Sequence, residues 1–176
     1  MSEFRTISSR PNEPPMPDPL AFFLTWPTYG TWLPGDARGW VKYGKGFQLP
    51  DPIRELEAKA RMTEDACRLD FKQRQLVEST VRDHCRIRGW YLHAVNCRSN
   101  HLHSIVSANR KPEDVREQFK AWCTRKLKEF ERKRIRARRT KAKKIRENWW
   151  AERGSERHIA DEESLEAAIL YVLDGQ

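Results

Sequence analysis

Hydrophobic positions fall in short strand-like runs at the start of the chain and on helical spacing further along. Leu20 to Trp26 is a compact apolar and aromatic run suited to a buried strand, stopped by Pro27 and the loop Thr28 to Asp36. Residues 37 to 50 carry three glycines and a proline and read as irregular. From Asp51 to about Arg88 the texture is helical, first with Leu56, Ala60 and Met62. A second helix follows, with Phe71, Leu76, Val77, Val81 and Cys85 at about 3.6-residue spacing, and Gly89 ends it. Trp90 to Asn96 and His101 to Ser107 flank a short turn and read as a hairpin. Lys111-Pro112-Glu113-Asp114 opens another helix, with proline and acids in the first turn where the macrodipole favours them. Its apolar stripe is Val115, Phe119, Trp122, Cys123 and Leu127, and its far end runs into basic residues. Trp149-Trp150-Ala151 starts a further strand or hairpin, and a last helix runs from Asp161, an N-cap by residue type, to the end. On that helix Leu165, Ile169, Val172 and Leu173 cluster on one side, and Tyr171 falls well away from them.

The element order is strand, helix, strand, strand, helix, strand, helix. That order predicts an α+β fold of ferredoxin-like type, an antiparallel sheet with helices on one face and a C-terminal helix that carries Tyr171. The His101 strand is expected at the centre of the sheet. Residues 20 to 176 suffice for one domain with a real core, and residues 1 to 19, with five prolines, read as a flexible arm.

Chemistry enters at Asn100-His101-Leu102-His103. Strand side chains alternate between faces, so His101 and His103 project together while Leu102, Ser104 and Val106 point the other way. Two imidazoles on one face can hold a divalent metal and leave positions for water and substrate oxygens, as polarisation of a phosphodiester requires. A half-exposed strand that merely contains two histidines is the plain alternative.

Charge strengthens the first reading. A net charge of +9 and a pI near 9.6 suit a polyanionic partner, nucleic acid foremost. Much of that charge lies between residues 125 and 146: Arg125, Lys126, Lys128, Arg132, Lys133, Arg134, Arg136, Arg138, Arg139, Lys141, Lys143, Lys144 and Arg146, against only Glu129 and Glu131. Such a density repels itself without a polyanion, and the tract is read as a clamp on the DNA backbone. Trp32, Trp40, Trp149 and Trp150 are candidate platforms for unpaired bases. Cys67, Cys85, Cys97 and Cys123 have no zinc-knuckle spacing and read as reduced thiols. The run Leu20 to Leu24 is too short for a membrane span, so a cytoplasmic, DNA-associated location and no membrane partner are expected.

The run Trp90-Tyr91-Leu92-His93-Ala94-Val95 leads into Asn100-His101-Leu102-His103, then a helix, Trp149-Trp150, and the helical tyrosine of Ala168-Ile169-Leu170-Tyr171-Val172. Over residues 20 to 176 this combination resembles the single-tyrosine HUH transposases of small insertion sequences, especially the REP-associated tyrosine transposases. The resemblance implies an endonuclease and strand transferase acting on single-stranded DNA with hairpin or palindromic elements, through a 5′-phosphotyrosine and a free 3′-hydroxyl. It implies Tyr171 as nucleophile, His101 and His103 as ligands of Mg2+ or Mn2+, and leaves a homodimer open. Tyr29, Tyr43 and Tyr91 are rival tyrosines. Two positions depart from the family pattern: Ser99 stands where a proline commonly precedes Asn-His, and Gly175 where an amide usually follows the tyrosine by four residues. Gln176 is the further candidate ligand, with Asp174 on the other side of the glycine. Two other readings keep the same fold: a noncatalytic module binding single-stranded DNA or RNA hairpins, and a metal hydrolase that activates water. His93 is either a neighbour that orients the pair or a sheet histidine, His84 is read as structural or exposed, and His158 as a surface residue able to touch DNA.

Overall fold

The computed structural model describes residues 19–42, 44–138 and 144–174. Four antiparallel strands form the main sheet: β1 (Ala21–Pro27), β4 (Tyr91–Cys97), β5 (His101–Ser107) and β6 (Ser155–Ile159), in the order β4-β5-β1-β6. The ferredoxin-like arrangement is therefore present, with the His101 strand in the interior of the sheet. Between β1 and the first long helix lies an elaboration made of a small hairpin, β2 (Trp40–Lys42) and β3 (Gly46–Gln48), and a helix, α1 (Pro52–Ala60). Residues 40 to 48 were expected to be irregular; their strands are only three residues each and carry little alternation to read.

Helices α2 (Phe71–Arg88) and α3 (Pro112–Arg138) cover one face of the sheet. Phe22, Leu24, Trp26, Val95, Cys97, Leu102 and Val106 meet Val77, Val81, Cys85, Val115, Phe119, Cys123 and Leu127 there. α2 is bounded as its ends dictate: Asp70 and Gln73 form a reciprocal capping box, and Gly89 closes it in the left-handed region at φ 67°. α4 (Glu162–Asp174) lies on the other face, where Ala168 and Val172 pack with Ala21, Ala94, Ile105 and Ile159. Asp161 caps it, accepting from the Ser164 amide at 2.8 Å. Leu173, expected on the buried side of this helix, is exposed.

The fourth strand is not where the aromatic pair suggested. Trp149 to Ala151 makes only a single bridge, Trp150 with Thr28, and the strand is Ser155–Ile159. Trp149 is instead core, and the Trp150 ring sits edge-on to Trp26 at 6.2 Å. A polar edge strand such as Ser-Glu-Arg-His-Ile buries one position only, Ile159, and leaves no alternation to detect. All four cysteines are free and buried, and burial pushes the Cys67 thiol up to about 11 and that of Cys85 up to about 12. Among the described residues no helix is long and apolar enough to cross a membrane.

Candidate active site

The histidine pair is set by strand register. His103 stands opposite Thr25 on β1 and Asn96 on β4, and His101 opposite Pro27, so both rings project from the face that carries α4. Their centroids are 4.7 Å apart at 70°. His103 Nδ1 lies 2.6 Å from Thr25 Oγ1, and His101 Nδ1 donates to Asn100 Oδ1 at 2.8 Å. Asn100 is itself pinned, its carbonyl accepting from the Thr28 amide at 2.8 Å and from Thr31 Oγ1 at 3.1 Å. When Nδ1–H of each ring is turned to an oxygen, the lone pair of the neutral imidazole sits on Nε2, the form in which histidine ligates metals. The donor chemistry therefore suits a divalent cation. Among the described residues no group of three His, Cys, Asp or Glu is placed to hold one, and Gln176 and Gly175 lie outside the described residues.

Tyr171 reaches the same spot within one chain. α4 buries Ala168 and Val172 against the sheet, which turns Tyr171 toward β5 and β1 at the rim, 48% exposed. Its ring lies 5.8 Å from that of His103, and Phe23 fills the angle between them, 5.4 Å from His103 and 6.1 Å from Tyr171. Asn96, cross-strand from His103, donates from Nδ2 to the Val172 carbonyl at 2.7 Å and so fixes the helix beside the pair. A cavity of about 460 Å³ opens between these groups, lined by Phe23, Thr25, His103, Arg157, Ala167, Ala168 and Tyr171.

Burial, with repulsion from His101 and Arg98, pushes His103 down to about 4, so its ring is neutral at physiological pH. The sign of the linked stability follows directly. Above about pH 6.5 the imidazole is neutral folded or unfolded and contributes nothing; below it the unfolded chain takes a proton that the folded chain refuses, until about pH 4. In metal-free buffer, urea unfolding of wild type is expected to lose about 3 kcal/mol more between these limits than His103→Gln does. Parallel pH profiles would disprove the burial argument.

The other singled-out residues separate clearly. Tyr29 accepts the Thr63 amide at 3.0 Å, Tyr91 sits at the Ser107 end of the sheet, and Tyr43 is outside the described residues. His93 bonds to Ser107 Oγ at 2.8 Å, at the end of β5 remote from His101. His84 is buried among Trp90, Phe119 and Trp122. His158 packs on Phe22 at 5.3 Å, on the α2/α3 face, away from the pair. Trp40 and Trp149 are buried, whereas Trp32 is exposed with Arg38 over its ring.

The basic tract is less uniform than its composition suggests. α3 continues through it to Arg138, while Arg139, Lys141 and Lys143 lie outside the described residues. Arg134 pairs with Asp70 at 2.8 Å, Lys128 with Glu147, and Arg146 with the Asp65 carbonyl at 2.8 Å, so these three tie the fold together. Lys133 and Lys126 reach Glu129 at 3.0 and 4.0 Å, and Arg125 stacks over Trp122 at 5.2 Å. Arg132, Arg136 and Lys144 point to solvent. The described end of the tract lies near the His101 end of the sheet, since Arg134 holds Asp70 and the adjacent Leu69 amide donates to the Ser99 carbonyl at 2.8 Å.

Sequence reasoning missed Thr25, Phe23, Asn96 and Arg157. The signal for the first two was available in strand period, because residues 21, 23 and 25 share a face. No local signal marks Asn96 or Arg157.

No protein-family model matches the chain, and no curated protein matches it. Solved structures do. A REP-associated tyrosine transposase bound to a REP hairpin is 14% identical with a TM-score of 0.47, over 98% of this chain and 70% of that one. The crystal structure of a candidate transposase from Deinococcus radiodurans R1 is 15% identical with a TM-score of 0.43, over 100% of this chain and 98% of that one.

Proposed function

We propose that the chain is a transposase-type enzyme: a metal-dependent endonuclease and strand transferase that acts on single-stranded DNA near hairpins, with Tyr171 as nucleophile. What supports this reading is the convergence of residues 68 positions apart, the Tyr171 ring packed 5.8 Å from His103 beside His101, on a face open to solvent. His101 and His103 would hold Mg2+ or Mn2+ through Nε2, and the ion would supply Lewis-acid polarisation of the phosphate. The chain's own part is nucleophile and orientation. The Tyr171 Oη–P bond forms as the P–O3′ bond breaks, the phenol proton passes to the solvent onto which the ring opens, and the departing 3′-oxygen takes a proton from solvent. A 5′-phosphotyrosine and a 3′-hydroxyl result, and attack of another 3′-hydroxyl on that ester rejoins a strand. A free phenol ionises near pH 10, so it depends on activation of the phosphate, and the low basicity of His103 suits a ligand better than a proton acceptor.

Incubation with a hairpin-bearing single strand and Mn2+ is expected to give a denaturation-resistant adduct mapping to Tyr171, lost in Tyr171→Phe with binding kept. Cleavage without an adduct would replace the reading by a water-activating hydrolase, and binding with neither would leave a noncatalytic hairpin-binding module. The DNA grip is proposed to rest on the solvent-facing part of the basic tract. Replacing Arg132, Arg136 and Lys144 by glutamine is expected to flatten the log Kd against log salt slope by about 2, at roughly 0.7 per single-strand phosphate. An unchanged slope would make the tract a solvated surface only.

A further inference from the structure

Among the described residues Arg157 is the one arginine lining the cavity beside Tyr171 and His103. Strand alternation on β6 aims it there. Glu156 faces Arg116 of α3 and His158 packs on Phe22, so both point to the α2/α3 face, while Arg157, cross-strand from Phe23, points to the face of the histidine pair. Its guanidinium lies over the Phe23 ring, 5.2 Å from the centroid, and that same ring touches both His103 and Tyr171. Phe23 thus contacts the cation and both reactive rings.

The guanidinium of Arg157 is not engaged by an acid among the described residues. Arg38, Arg54, Arg61, Arg82, Arg86, Arg116 and Arg134 each meet an acid within ion-pair distance, whereas among the described residues no carboxylate pairs with Arg157. A guanidinium without a paired carboxylate, in one cavity with a phenol, favours an anion there. The planar fork of arginine matches two non-bridging oxygens of a phosphodiester, and stacking on Phe23 orders it beforehand at low entropic cost.

We propose that Arg157 is the phosphate clamp of this site, gripping the non-bridging oxygens of the phosphodiester that Tyr171 attacks. The proposal rests on the transesterification reading above and adds to it the group that fixes the phosphate and offsets the negative charge that grows on its oxygens as the Oη–P bond forms. Phe23 is a positioning residue in this scheme, acting through the guanidinium.

Single-turnover adduct formation on a hairpin-bearing single strand tests it. Arg157→Gln is expected to slow adduct formation on the order of 100-fold, as loss of a charge-stabilising donor does, with hairpin affinity changed less than about threefold. Arg157→Lys should recover little, because a point charge lacks the fork. Phe23→Leu, which keeps apolar burial and removes the ring face, should fall between wild type and Arg157→Gln. A scissile methylphosphonate, which removes one charged oxygen, should slow wild type and leave Arg157→Gln little slower than before. Adduct formation on Tyr171 at the wild-type rate in Arg157→Gln would overturn the clamp and leave the nucleophile assignment standing. If wild type forms no Tyr171 adduct, the transesterification reading fails on its own, and the clamp is decided separately by the Arg157 Nε–Hε resonance during titration with a 5′-phosphorylated oligothymidine trinucleotide. A saturable shift supports the phosphate site, and an unmoved resonance removes it.

Discussion

His103→Ala is expected to lower metal-dependent cleavage of a hairpin-bearing strand by roughly three orders of magnitude, with hairpin affinity close to wild type, and His101→Ala should do the same. The two rings come from alternate positions of an interior strand, 4.7 Å apart, and each has Nδ1 against a neighbouring oxygen. Removing either leaves one imidazole, and a single neutral nitrogen competes poorly with water for a magnesium or manganese ion. Affinity should survive because the solvent-facing cations, Arg132, Arg136 and Lys144, lie on α3 and the segment after it rather than on β5. Thr25→Val probes the supporting oxygen: it keeps the shape, loses the contact to His103 Nδ1, and should cost about 10- to 100-fold in metal affinity or rate. Cleavage at the wild-type rate in both histidine variants, measured with magnesium and with manganese, would remove the metal assignment altogether.

The parts of this site legible in the sequence are those that a period encodes. Strand alternation put His101 and His103 on one face and Leu102, Ser104 and Val106 on the other, and the sheet has that arrangement. Helical phase set Tyr171 apart from the apolar stripe of α4, and its ring does leave the core to meet His103. Gly89, Pro112 and Asp161 marked helix ends correctly because caps are local chemistry. What stayed hidden depends on contacts between distant segments. The last strand could not be read at Ser155–Ile159, since an edge strand of polar residues has no apolar rhythm, while Trp149 and Trp150 looked strand-like and instead fill the end of the sheet near Thr28. Composition also hid which cations of the basic tract are paired, because Arg134 and Lys128 find their acids on segments remote in sequence, at Asp70 and Glu147.

Trp26→Ala is expected to be the most destabilising single change in the sheet, by about 3–5 kcal/mol, with melting lowered on the order of 10 °C for a domain of this size. Trp26 is fully buried in β1, opposite Leu102 on the His101 strand. Its ring stacks near Phe119 of α3, 6.3 Å away at 26°, and receives the edge of Trp150. Alanine there opens a void that the sheet and α3 cannot both close, because the interior is packed to solid density on either side. The site should loosen with it. Thr25 and Thr28 flank this residue on one strand end, and through His103 and Asn100 they hold both imidazoles. Trp26→Phe separates packing from hydrogen bonding: the indole Nε1 is buried with no acceptor among the described residues, so phenylalanine removes an unpaired donor while keeping much of the ring. Its net cost should stay below about 2 kcal/mol, with cleavage activity largely retained. Thermal denaturation of the three proteins checks this, and an alanine variant melting within about 2 °C of wild type would mean that the core does not close around Trp26.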